Sequence, residues 1–484
     1  MTRRIINLWQ TLDWWTVILY SLFIIAGCLN IYAASYDFDN ASIFDFSERS
    51  GKQLTWVALA AFIALVVLLL DTRFYEDYAN AFYLFMLALL AVTIVIAPNI
   101  KGSHSWLVFG PVSLQPAEFA KCATALALAK FLNNGNGMLE QWKNLMIAFS
   151  IILLPMMLII FQNETGSALV YTAFLLMFYR EGMTGIILLS VICAVTFFIV
   201  GIKFSDIMIF SPEESAGFFY SELFLAIVVI VFMAWHFKEK SVAKISFLIY
   251  LLALIVGFVS HFIYPIKYTL LLIVAHGIVA CYGIAVAFIY KYRRYILIPL
   301  IIFVSFGFSY SIDYIFHNVL KPHQRIRIEV TLGMQDDPRG VGYNVNQSKI
   351  AIGSGGFLGK GFLNGTQTKL KYVPEQDTDF IFCTIGEEWG FIGSSLIVIG
   401  YILFLIRLIV LAERQRTVFA RVYGYSVVSI FFFHLLINIG MTIGLTPVIG
   451  IPLPFFSYGG SSLWGFTILL FVFLRLDAGR LERF

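Results

Sequence analysis

The chain alternates long apolar segments with short polar ones. An α-helix needs about 20 mostly apolar residues to cross the hydrocarbon core of a bilayer. By that measure the pattern predicts an all-α polytopic membrane protein with about fourteen spans. The predicted spans are Trp14–Ala34, Leu54–Leu70, Ala79–Ala97, Pro116–Leu132, Leu145–Phe161, Thr165–Phe178, Gly185–Ile202, Phe218–Trp235, Ala243–Tyr264, Thr269–Tyr290, Ile296–Phe316, Phe380–Leu411, Gly424–Gly444 and Phe455–Leu474.

One polar segment is much longer than the others. It runs from about Leu320 to Asp379, and its second half, 347–379, reads QSKIAIGSGGFLGKGFLNGTQTKLKYVPEQDTD. A loop of this length in a compact protein is usually either functional or disordered. The aromatic residues and the IAIG and FLGKGFL sequences argue against disorder. We therefore expect one large loop over 320–379 that carries the chemistry of the protein.

The composition agrees with a membrane protein. Of 484 residues, 60% are hydrophobic and 13% are charged, whereas a soluble domain has about 25% charged residues. The five cysteines fall in or beside apolar spans, which favours packing roles over disulfides. The sequence has no C-x-x-C and no cluster of histidines, so a structural metal site is not expected. The N-terminus lacks the pattern of a removable signal peptide.

The distribution of basic residues predicts the orientation. Cytoplasmic loops of membrane proteins are enriched in Lys and Arg. If the N-terminus, with Arg3 and Arg4, is cytoplasmic, then the basic loop at Lys291 and the tail at Arg475 fall on the same side. We therefore expect both termini in the cytoplasm and the loop 320–379 outside it. The net charge of +4 is distributed over such short loops and does not indicate nucleic-acid binding.

Asp379 is the first candidate for chemistry. It closes the sequence EQDTD and directly precedes the apolar run FIFCTIG. A side chain at this point either caps the following helix by accepting from free backbone N–H groups, or serves as a general base at the membrane boundary. The position does not separate these roles. Asp377 and Glu375 lie close in sequence, and like charges would raise the proton affinity of Asp379.

Other acidic and basic residues fall inside predicted spans. Glu118 and Lys121 lie three positions apart, so they either pair with each other or face a polar cavity. Glu164, in QNETG, either caps the next helix or belongs to the same cavity. For Glu387 and Glu388 a structural hydrogen bond to a neighbouring helix is favoured.

Basic residues make the predicted loop cationic close to the membrane. Arg325, Arg327 and Lys349 are among them. They either attract lipid headgroups, at about 1 kcal/mol per charge, or clamp an anionic group such as a diphosphate. The glycines of GSGG and GKG would let backbone N–H groups approach the same anion.

Three long motifs resemble the SEDS family (shape, elongation, division and sporulation proteins). They are QSKIAIGSGGFLGKGFLNGTQ, LKYVPEQDTDFIF with GEEWGFIG, and NIGMTIGLTPVIGIPLPFFSYGGSS. QPAEFAK and QNETGSALV are similar to earlier motifs of that family. The resemblance covers most of Trp14–Phe178 and Ile296–Leu476. The GTQ sequence at Gly365–Gln367 is more similar to the RodA-like branch than to the division branch.

The resemblance implies a bacterial peptidoglycan glycosyltransferase. Such an enzyme polymerises lipid II, a disaccharide-peptide on undecaprenyl diphosphate, at the outer face of the cytoplasmic (inner) membrane during cell elongation. It works with a class B penicillin-binding protein, which supplies the transpeptidase, and other elongation-complex proteins are further partners to consider. A divalent cation, Mg²⁺ or Mn²⁺, is expected from the family and from no motif.

The resemblance also implies roles for single residues. Asp379 would take the proton from the acceptor hydroxyl, whose oxygen attacks the anomeric carbon of the donor while the lipid diphosphate leaves. Lys121 and either Arg325 or Arg327 would stabilise the leaving charge. The residues expected to bind substrate are Trp106, Gln115, Glu118, Lys121, Glu164, Arg325, Arg327, Lys349, Gln367 and Ser457.

The sequence departs from the family pattern at two motifs. Asp377 stands where the PE-x-x-TD motif commonly has His, and its extra charge would alter the base or help to hold a cation. NETG stands where a PDLG-like motif is usual, which leaves the role of Glu164 open.

The third departure is a predicted insertion. Five spans are predicted between Gly185 and Phe316, where the family has one. Four extra spans keep the loop 320–379 on the same side of the membrane. We therefore expect an N-terminal half of the core over 1–184, inserted helices over 185–294, and a C-terminal half over 295–484.

Two other function classes fit parts of the pattern. A transporter or flippase of lipid-linked precursors would also have many spans, broken helices and intramembrane ions. Against it, the sequence shows no inverted repeat, and its polar segment lies outside the membrane. A non-catalytic scaffold for the penicillin-binding protein is the other alternative, and the presence of Asp379 and Lys349 argues against it.

Overall fold

The computed structural model of the chain is almost entirely helical, with 78% helix. An α-helix satisfies the backbone N–H and C=O groups within one segment, which hydrocarbon surroundings require. The predicted all-α membrane fold is therefore confirmed. Arg3 and Arg4, on which the predicted orientation partly rests, lie outside the described residues. The structure describes residues 8–36, 44–46, 48–100, 102–110, 112–134, 139–210, 214–236, 240–263, 266–289, 291, 293–335 and 340–481.

The first part of the chain combines apolar helices with one β-hairpin. Strands β1 (Leu107–Phe109) and β2 (Val112–Leu114) pair antiparallel. Pro116 follows the hairpin in the first turn of a helix, where its missing N–H costs no hydrogen bond. The helices are α1 (Leu8–Thr11), α2 (Trp14–Ser35), α3 (Arg49–Leu69), α4 (Thr72–Asp77), α5 (Ala79–Ile96), α6 (Pro116–Asn133), α7 (Trp142–Phe161), α8 (Thr165–Val170) and α9 (Phe174–Arg180).

The rest of the chain continues with helices of up to 33 residues. Its helices are α10 (Gly185–Lys203), α11 (Ala216–His236), α12 (Lys240–Ile263), α13 (Tyr268–Ile289), α14 (Leu297–Tyr314), α15 (Pro322–Leu332), α16 (Val341–Ser354), α17 (Thr366–Lys369), α18 (Ile381–Glu413), α19 (Val418–Thr442) and α20 (Gly460–Ala478).

The predicted loop over 320–379 is not one irregular segment. Its described residues include the helices α15, α16 and α17. The expected large loop is therefore not confirmed as such. The polar composition reflects short helices with one exposed face, which a search for apolar runs does not detect.

Twelve helices within the described residues are long and apolar enough to cross a membrane. The predicted count of fourteen is not confirmed, because it included α6 and the pair α8–α9. Helix α6 carries charged residues and is buried over most of its length. Helices α8 and α9 have six and seven residues and are separated by a 3-10 turn. Charged and broken helices are tolerated at membrane depth only where protein surrounds them.

The chain forms two compact units, one of residues 1–185 and 338–484 and the other of residues 186–337. In the first unit, α20 packs against α3, while α19 lies between α6 and α18. Helix α16 packs against α18, so the turn that precedes α18 is surrounded by several helices. The predicted insertion, 185–294, begins one residue before the second unit begins. It ends well before the end of that unit at residue 337. The assignment of 185–294 as additional to the family core stays a prediction.

The second unit has a buried polar centre among its apolar helices. Tyr250 and His276 join through the tyrosine hydroxyl and Nδ1, which lie 2.8 Å apart. Nε2 of His276 lies 3.0 Å from a carboxylate oxygen of Glu222. All three side chains are buried, on α12, α13 and α11 respectively. Polar contacts of this kind fix the relative positions of helices that apolar packing alone would leave interchangeable.

Helix α18 is interrupted near its start, and the glycine-rich sequence lies against the interruption. Gly390 has a φ of 63° inside the helix. The N–H groups of Lys360 and Gly361 donate to the carbonyls of Glu387 and Glu388, each at 3.0 Å, and Phe391 N–H donates back to the Gly356 carbonyl at 2.9 Å.

A side chain at either crossing point would not fit. A Cβ at Gly359 would lie 2.2 Å from the carbonyl oxygen of Glu388, and one at Gly390 would lie 2.3 Å from the nitrogen of Gly359. The absence of a side chain at these glycines therefore allows the two backbone segments to approach closely. The N–H groups of Lys360 and Gly361 are taken by α18, so the expectation that GKG presents them to an anion is wrong.

Candidate functional site

Asp379 lies in the turn directly before α18 and is half-buried. The N-cap residue of α18 is Phe380, whose own side chain makes no capping hydrogen bond. Asp379 precedes it and marks the start of the helix, and a capping role for its side chain stays a prediction. Its backbone carbonyl accepts from the side-chain amide of Asn438 on α19 at 2.8 Å. The neighbouring helix α19 thus holds the backbone of Asp379 in place, and this backbone carries the carboxylate.

The segment between α19 and α20, residues 443–459, contains three prolines and forms no helix. We call it the proline loop. The side-chain amide of Asn438 also donates to the carbonyl of Ile451, which belongs to the proline loop, at 2.7 Å. A Cβ built on Gly450, which has a φ of 79°, would lie 3.2 Å from Oδ2 of Asp379. The carboxylate of Asp379 therefore lies directly over the backbone of the proline loop at Gly450.

Ser457 holds the same two segments together. Its hydroxyl donates to the Thr378 carbonyl at 2.6 Å and accepts from the N–H of Leu453 at 2.8 Å. The N–H of Tyr458 donates to the Asp377 carbonyl at 2.8 Å. Ser457 is buried, so its geometry indicates that it positions the turn that carries Asp379. Its predicted contact with substrate stays a prediction.

Lys349 lies beside the start of the proline loop. It is exposed on α16, and its ammonium lies beside Gly444, where a Cβ would come within 2.5 Å of Nζ. The preceding residue, Ser348, is buried and donates to the Thr442 carbonyl at 2.8 Å. One cation and one carboxylate thus flank the same short segment, at Gly444 and Gly450.

Glu118 and Lys121 form a buried ion pair with Nζ to Oε2 at 2.9 Å. Nζ of Lys121 also lies 3.0 Å from Nε2 of His434 on α19. Nδ1 of His434 lies 3.1 Å from the carbonyl oxygen of Pro452. Because a carbonyl only accepts, Nδ1 carries the hydrogen and Nε2 accepts from Lys121. The pair therefore extends through His434 to the proline loop.

The ammonium of Lys121 is further enclosed by an aromatic ring. Nζ lies 5.0 Å from the centroid of Phe466, and the side chain is 2% exposed. A charge in such surroundings is stabilised by its paired carboxylate and by the ring. The predicted pairing of Glu118 with Lys121 is confirmed, and the alternative that they face a polar cavity stays a prediction.

Asp377 does not stand beside Asp379 as an uncompensated charge. Its carboxylate forms an ion pair with Arg49 at the start of α3, and the aspartate side chain is buried. The guanidinium also lies 5.8 Å from the ring centroid of Tyr458. The charge of Asp377 is therefore paired with that of Arg49.

The earlier motifs converge on the first turn of α8. Gln115 is buried, and its Nε2 lies 3.5 Å from the hydroxyl of Ser167. Glu164 stands at the N-cap of α8 but does not cap it; its carboxylate accepts from Ser105 at 3.2 Å. Trp106, next to Ser105, is half-buried ahead of β1.

Helix α8 also touches the proline loop. A Cβ at Gly166 would lie 2.8 Å from the Ile449 carbonyl oxygen. The motif NETG and the segment under Asp379 are thus neighbours in space.

Gln367 belongs to a turn organised by Glu387. The carboxylate of Glu387 accepts from the N–H of Gln367 at 2.9 Å, from Thr368 N–H at 2.8 Å, and from Lys360 Nζ at 2.7 Å. The structural interpretation of Glu387 is confirmed. The predicted contact of the Gln367 side chain with substrate stays a prediction.

Arg325 and Arg327 lie on α15, in the second compact unit. Both are partly exposed. Their predicted role on a leaving diphosphate stays a prediction.

Three residues of the site were missed by the sequence argument: Arg49, Asn438 and His434. Asn438 and His434 are one helical turn apart, on the same face of α19, in an otherwise apolar span. Polar residues inside a span mark polar contacts, so this spacing was a usable signal. Arg49 offered no such signal, because it follows a polar segment in which a charged residue is ordinary.

The expected divalent cation was tested against the donors present. No group of three or more His, Cys, Asp or Glu side chains suited to a metal occurs in the part of the chain that the structure describes. Mg²⁺, however, is commonly held by one or two carboxylates together with water and substrate phosphates. The half-buried Asp379 carboxylate fits that mode and would supply the protein ligand.

The fold and the site define a multi-pass helical membrane protein with a carboxylate held over a broken segment between two spans. The model of the FtsW, RodA and SpoVE family, described as cell cycle proteins, matches residues 13–213 and 219–481. The chain belongs to this family. The matched residues include most of the predicted insertion.

Relatives match over most of their length. The chain is 29% identical over 460 residues to the peptidoglycan glycosyltransferase RodA of Treponema pallidum, covering 94% of this chain and 95% of that protein. It is 28% identical over 412 residues to the peptidoglycan glycosyltransferase MrdB of Escherichia coli K12, covering 85% and 81%.

Solved structures have the same fold. A chain of a peptidoglycan synthase complex that coordinates polymerization and crosslinking matches with a TM-score of 0.60 at 21% identity, covering 97% of this chain and 98% of that one. RodA of Thermus thermophilus matches with a TM-score of 0.52 at 20% identity and the same coverage.

Proposed function

We propose that this chain is a peptidoglycan glycosyltransferase that polymerises lipid II into glycan strands at the outer face of the bacterial cytoplasmic membrane, for cell elongation and shape. The names of the relatives support the reaction class. The observation that carries the proposal is the position of Asp379, whose half-buried carboxylate lies over Gly450 while its backbone is held by Asn438. A half-buried carboxylate whose backbone is held in place suits a general base.

The reaction follows from this arrangement. The Asp379 carboxylate takes the proton of the acceptor sugar hydroxyl, and the oxygen of that hydroxyl forms a bond to the anomeric carbon of the donor chain. The bond from that carbon to the diphosphate oxygen breaks, and undecaprenyl diphosphate leaves. Holding base and sugar in this geometry removes much of the entropic barrier.

The departing diphosphate needs a cation, and we assign Lys349 to it. Lys349 is exposed and lies beside Gly444 at the start of the proline loop, whereas Asp379 lies over Gly450 near the middle of that loop. Lys121 was expected in this role, but its ammonium is enclosed by Glu118, His434 and Phe466. Lys121 is therefore a positioning residue that acts through His434 and the Pro452 carbonyl. A divalent cation bound at Asp379 would supply further charge stabilisation for the diphosphate.

A partner is part of the proposal. One structural neighbour is a chain of a peptidoglycan synthase complex, which supports a class B penicillin-binding protein as the partner of this chain. We place both termini of this chain in the cytoplasm, following the distribution of basic residues.

The test is lipid II polymerisation by the purified chain, with and without the penicillin-binding protein and Mg²⁺. We expect glycan strands from the wild type and none from Asp379→Asn. Asp71→Asn is the matched control, because Asp71 starts α4 as a side-chain cap and Asn caps equally well.

Three outcomes would contradict the proposal. Full synthesis of glycan strands by Asp379→Asn would show that Asp379 is not the general base. Absence of polymer under every condition, together with movement of lipid precursors across liposomes, would indicate the transporter class instead. Stimulation of the penicillin-binding protein without polymerisation by this chain would indicate a scaffold.

A further inference from the structure

Helices α10, α11 and α14 of the second unit enclose an apolar cavity of about 430 Å³. Its walls include Leu189 and Ala194 of α10, Phe232 of α11, and Leu300 and Phe308 of α14. A volume of this size accommodates part of a small ligand. The chemistry of the walls selects a hydrocarbon chain.

The same three helices, together with Glu329 of α15, line a second, partly open cavity further along, whose walls are more polar than those of the first. It has a volume of about 630 Å³ and begins at Gly201 on α10 and at Ser309 on α14. The apolar cavity ends at Phe197 and Phe308 of those helices. Four residues of a helix span about 6 Å. We therefore treat the two cavities as one cleft, apolar in one half and polar in the other.

The polar half is acidic. Asp206, Asp313 and Glu329 contribute carboxylates, and His317 lies 3.3 Å from Asp313. Among the described residues that line this half, none is Lys or Arg. A head with net negative charge is disfavoured there, and a cationic hydrogen-bond donor is favoured.

Ser309 lies at the junction of the two halves. Its side chain is 7% exposed, and its hydroxyl has no hydrogen-bond partner among the described residues. A buried hydroxyl left unsatisfied costs about 1–3 kcal/mol. A ligand with a polar atom where its apolar chain begins would satisfy this group.

We propose that this cleft binds one phospholipid with a primary ammonium head, such as phosphatidylethanolamine. An acyl chain occupies the apolar half, an ester or phosphate oxygen accepts from Ser309, and the ammonium donates to the acidic residues. The three requirements are independent, and an ammonium-headed phospholipid meets all of them. The site does not involve Asp379, so it stands apart from the proposed glycosyltransferase function.

The test uses the full-length chain in nanodiscs that contain equal amounts of phosphatidylethanolamine, phosphatidylcholine and phosphatidylglycerol with identical acyl chains. Native mass spectrometry after mild detergent release counts the lipids retained. We expect one phosphatidylethanolamine retained several-fold above the other two. Phosphatidylcholine tests the need for a donating ammonium, and phosphatidylglycerol tests the effect of net negative charge.

Variants separate the two halves of the cleft. Ala194→Phe fills the apolar half and should abolish retention, whereas Val195→Phe, on the exposed side of the same helix, should not. Asp313→Asn with Glu329→Gln should keep one retained lipid but lose the preference for phosphatidylethanolamine. Asp313 is 82% exposed, so its replacement does not endanger folding.

Equal retention of the three lipids by the wild type would overturn the proposal. So would an equal loss caused by Ala194→Phe and Val195→Phe, because that would indicate bulk lipid at the surface. If Ala194→Phe does not fold, the headgroup preference of the double carboxylate variant decides alone, and an unchanged preference would refute the acidic site.

Discussion

The ammonium of Lys121 lies 3.0 Å from Nε2 of His434, although 313 positions separate the two residues in the sequence. His434 in turn holds the Pro452 carbonyl, and Lys121 is paired with Glu118. A buried charge pair on α6 is thereby coupled, through His434 of α19, to the backbone of the proline loop.

This coupling predicts a non-additive pair of substitutions. Lys121→Met should lower the free energy of unfolding by about 3–5 kcal/mol, because it leaves the Glu118 carboxylate buried without its partner. Adding Glu118→Gln should restore much of that loss, since no buried charge remains. Thermal unfolding of both single variants and the double variant in detergent measures the coupling. Strictly additive losses would contradict the described pair.

His434 is predicted to act on the reaction through position. His434→Gln keeps a donor and an acceptor and should retain part of the polymerisation rate, whereas His434→Leu should lose most of it. The physical reason is that Leu releases both the Pro452 carbonyl and Lys121. Equal rates for the two variants, at equal unfolding temperature, would show that the hydrogen bonds of His434 do not matter.

Gly450 is predicted to be sensitive to any side chain. Gly450→Ala forces a non-glycine residue to a φ of 79°, which costs about 1–2 kcal/mol, and places a Cβ 3.2 Å from Oδ2 of Asp379. We expect lower stability and a several-fold lower polymerisation rate. Gly353→Ala is the matched control, because a Cβ there, in the last turn of α16, meets nothing within 4 Å.

The control has its own expected sign. Ala is preferred over Gly in a helix interior by about 1 kcal/mol, so Gly353→Ala should be neutral or stabilising. An equal rate loss in both variants would mean that the strain at Gly450 is not the cause.

Glu387 is predicted to maintain the turn that contains Gln367. Glu387→Gln removes the charge that accepts from Lys360 and from the N–H groups of Gln367 and Thr368. Hydrogen bonds to a charged group contribute about 1.5–3 kcal/mol each. We expect trypsin to cleave after Lys369 about tenfold faster or more, because local opening becomes easier. Lys143→Gln, outside this turn, serves as the control, and unchanged cleavage would contradict the role of Glu387.

Tyr250 tests the polar centre of the second unit. Tyr250→Phe removes the hydroxyl that lies 2.8 Å from His276, which should cost about 1 kcal/mol of stability. Tyr220→Phe, on a half-exposed ring of the same unit, should cost less. The unfolding of the two variants is monitored by tryptophan fluorescence. Equal losses of stability would show that the hydroxyl of Tyr250 does not contribute to stability.

The sequence alone determined the class of fold and most helix bounds. Apolar runs are local, and a helix that must satisfy its own backbone in lipid begins and ends where they do. Gly185–Ile202 was predicted and Gly185–Lys203 was found. The motif around Asp379 likewise marked the start of α18 without any knowledge of its neighbours.

Only the tertiary structure decided what the polar residues contact. Arg49 neutralises Asp377, His434 joins Lys121 to the proline loop, and the glycines of GKG serve contact with α18. None of these pairings follows from spacing, because the partners lie on different helices whose packing brings distant residues together. The same reason explains α6, whose charged residues are accommodated because protein surrounds most of the helix.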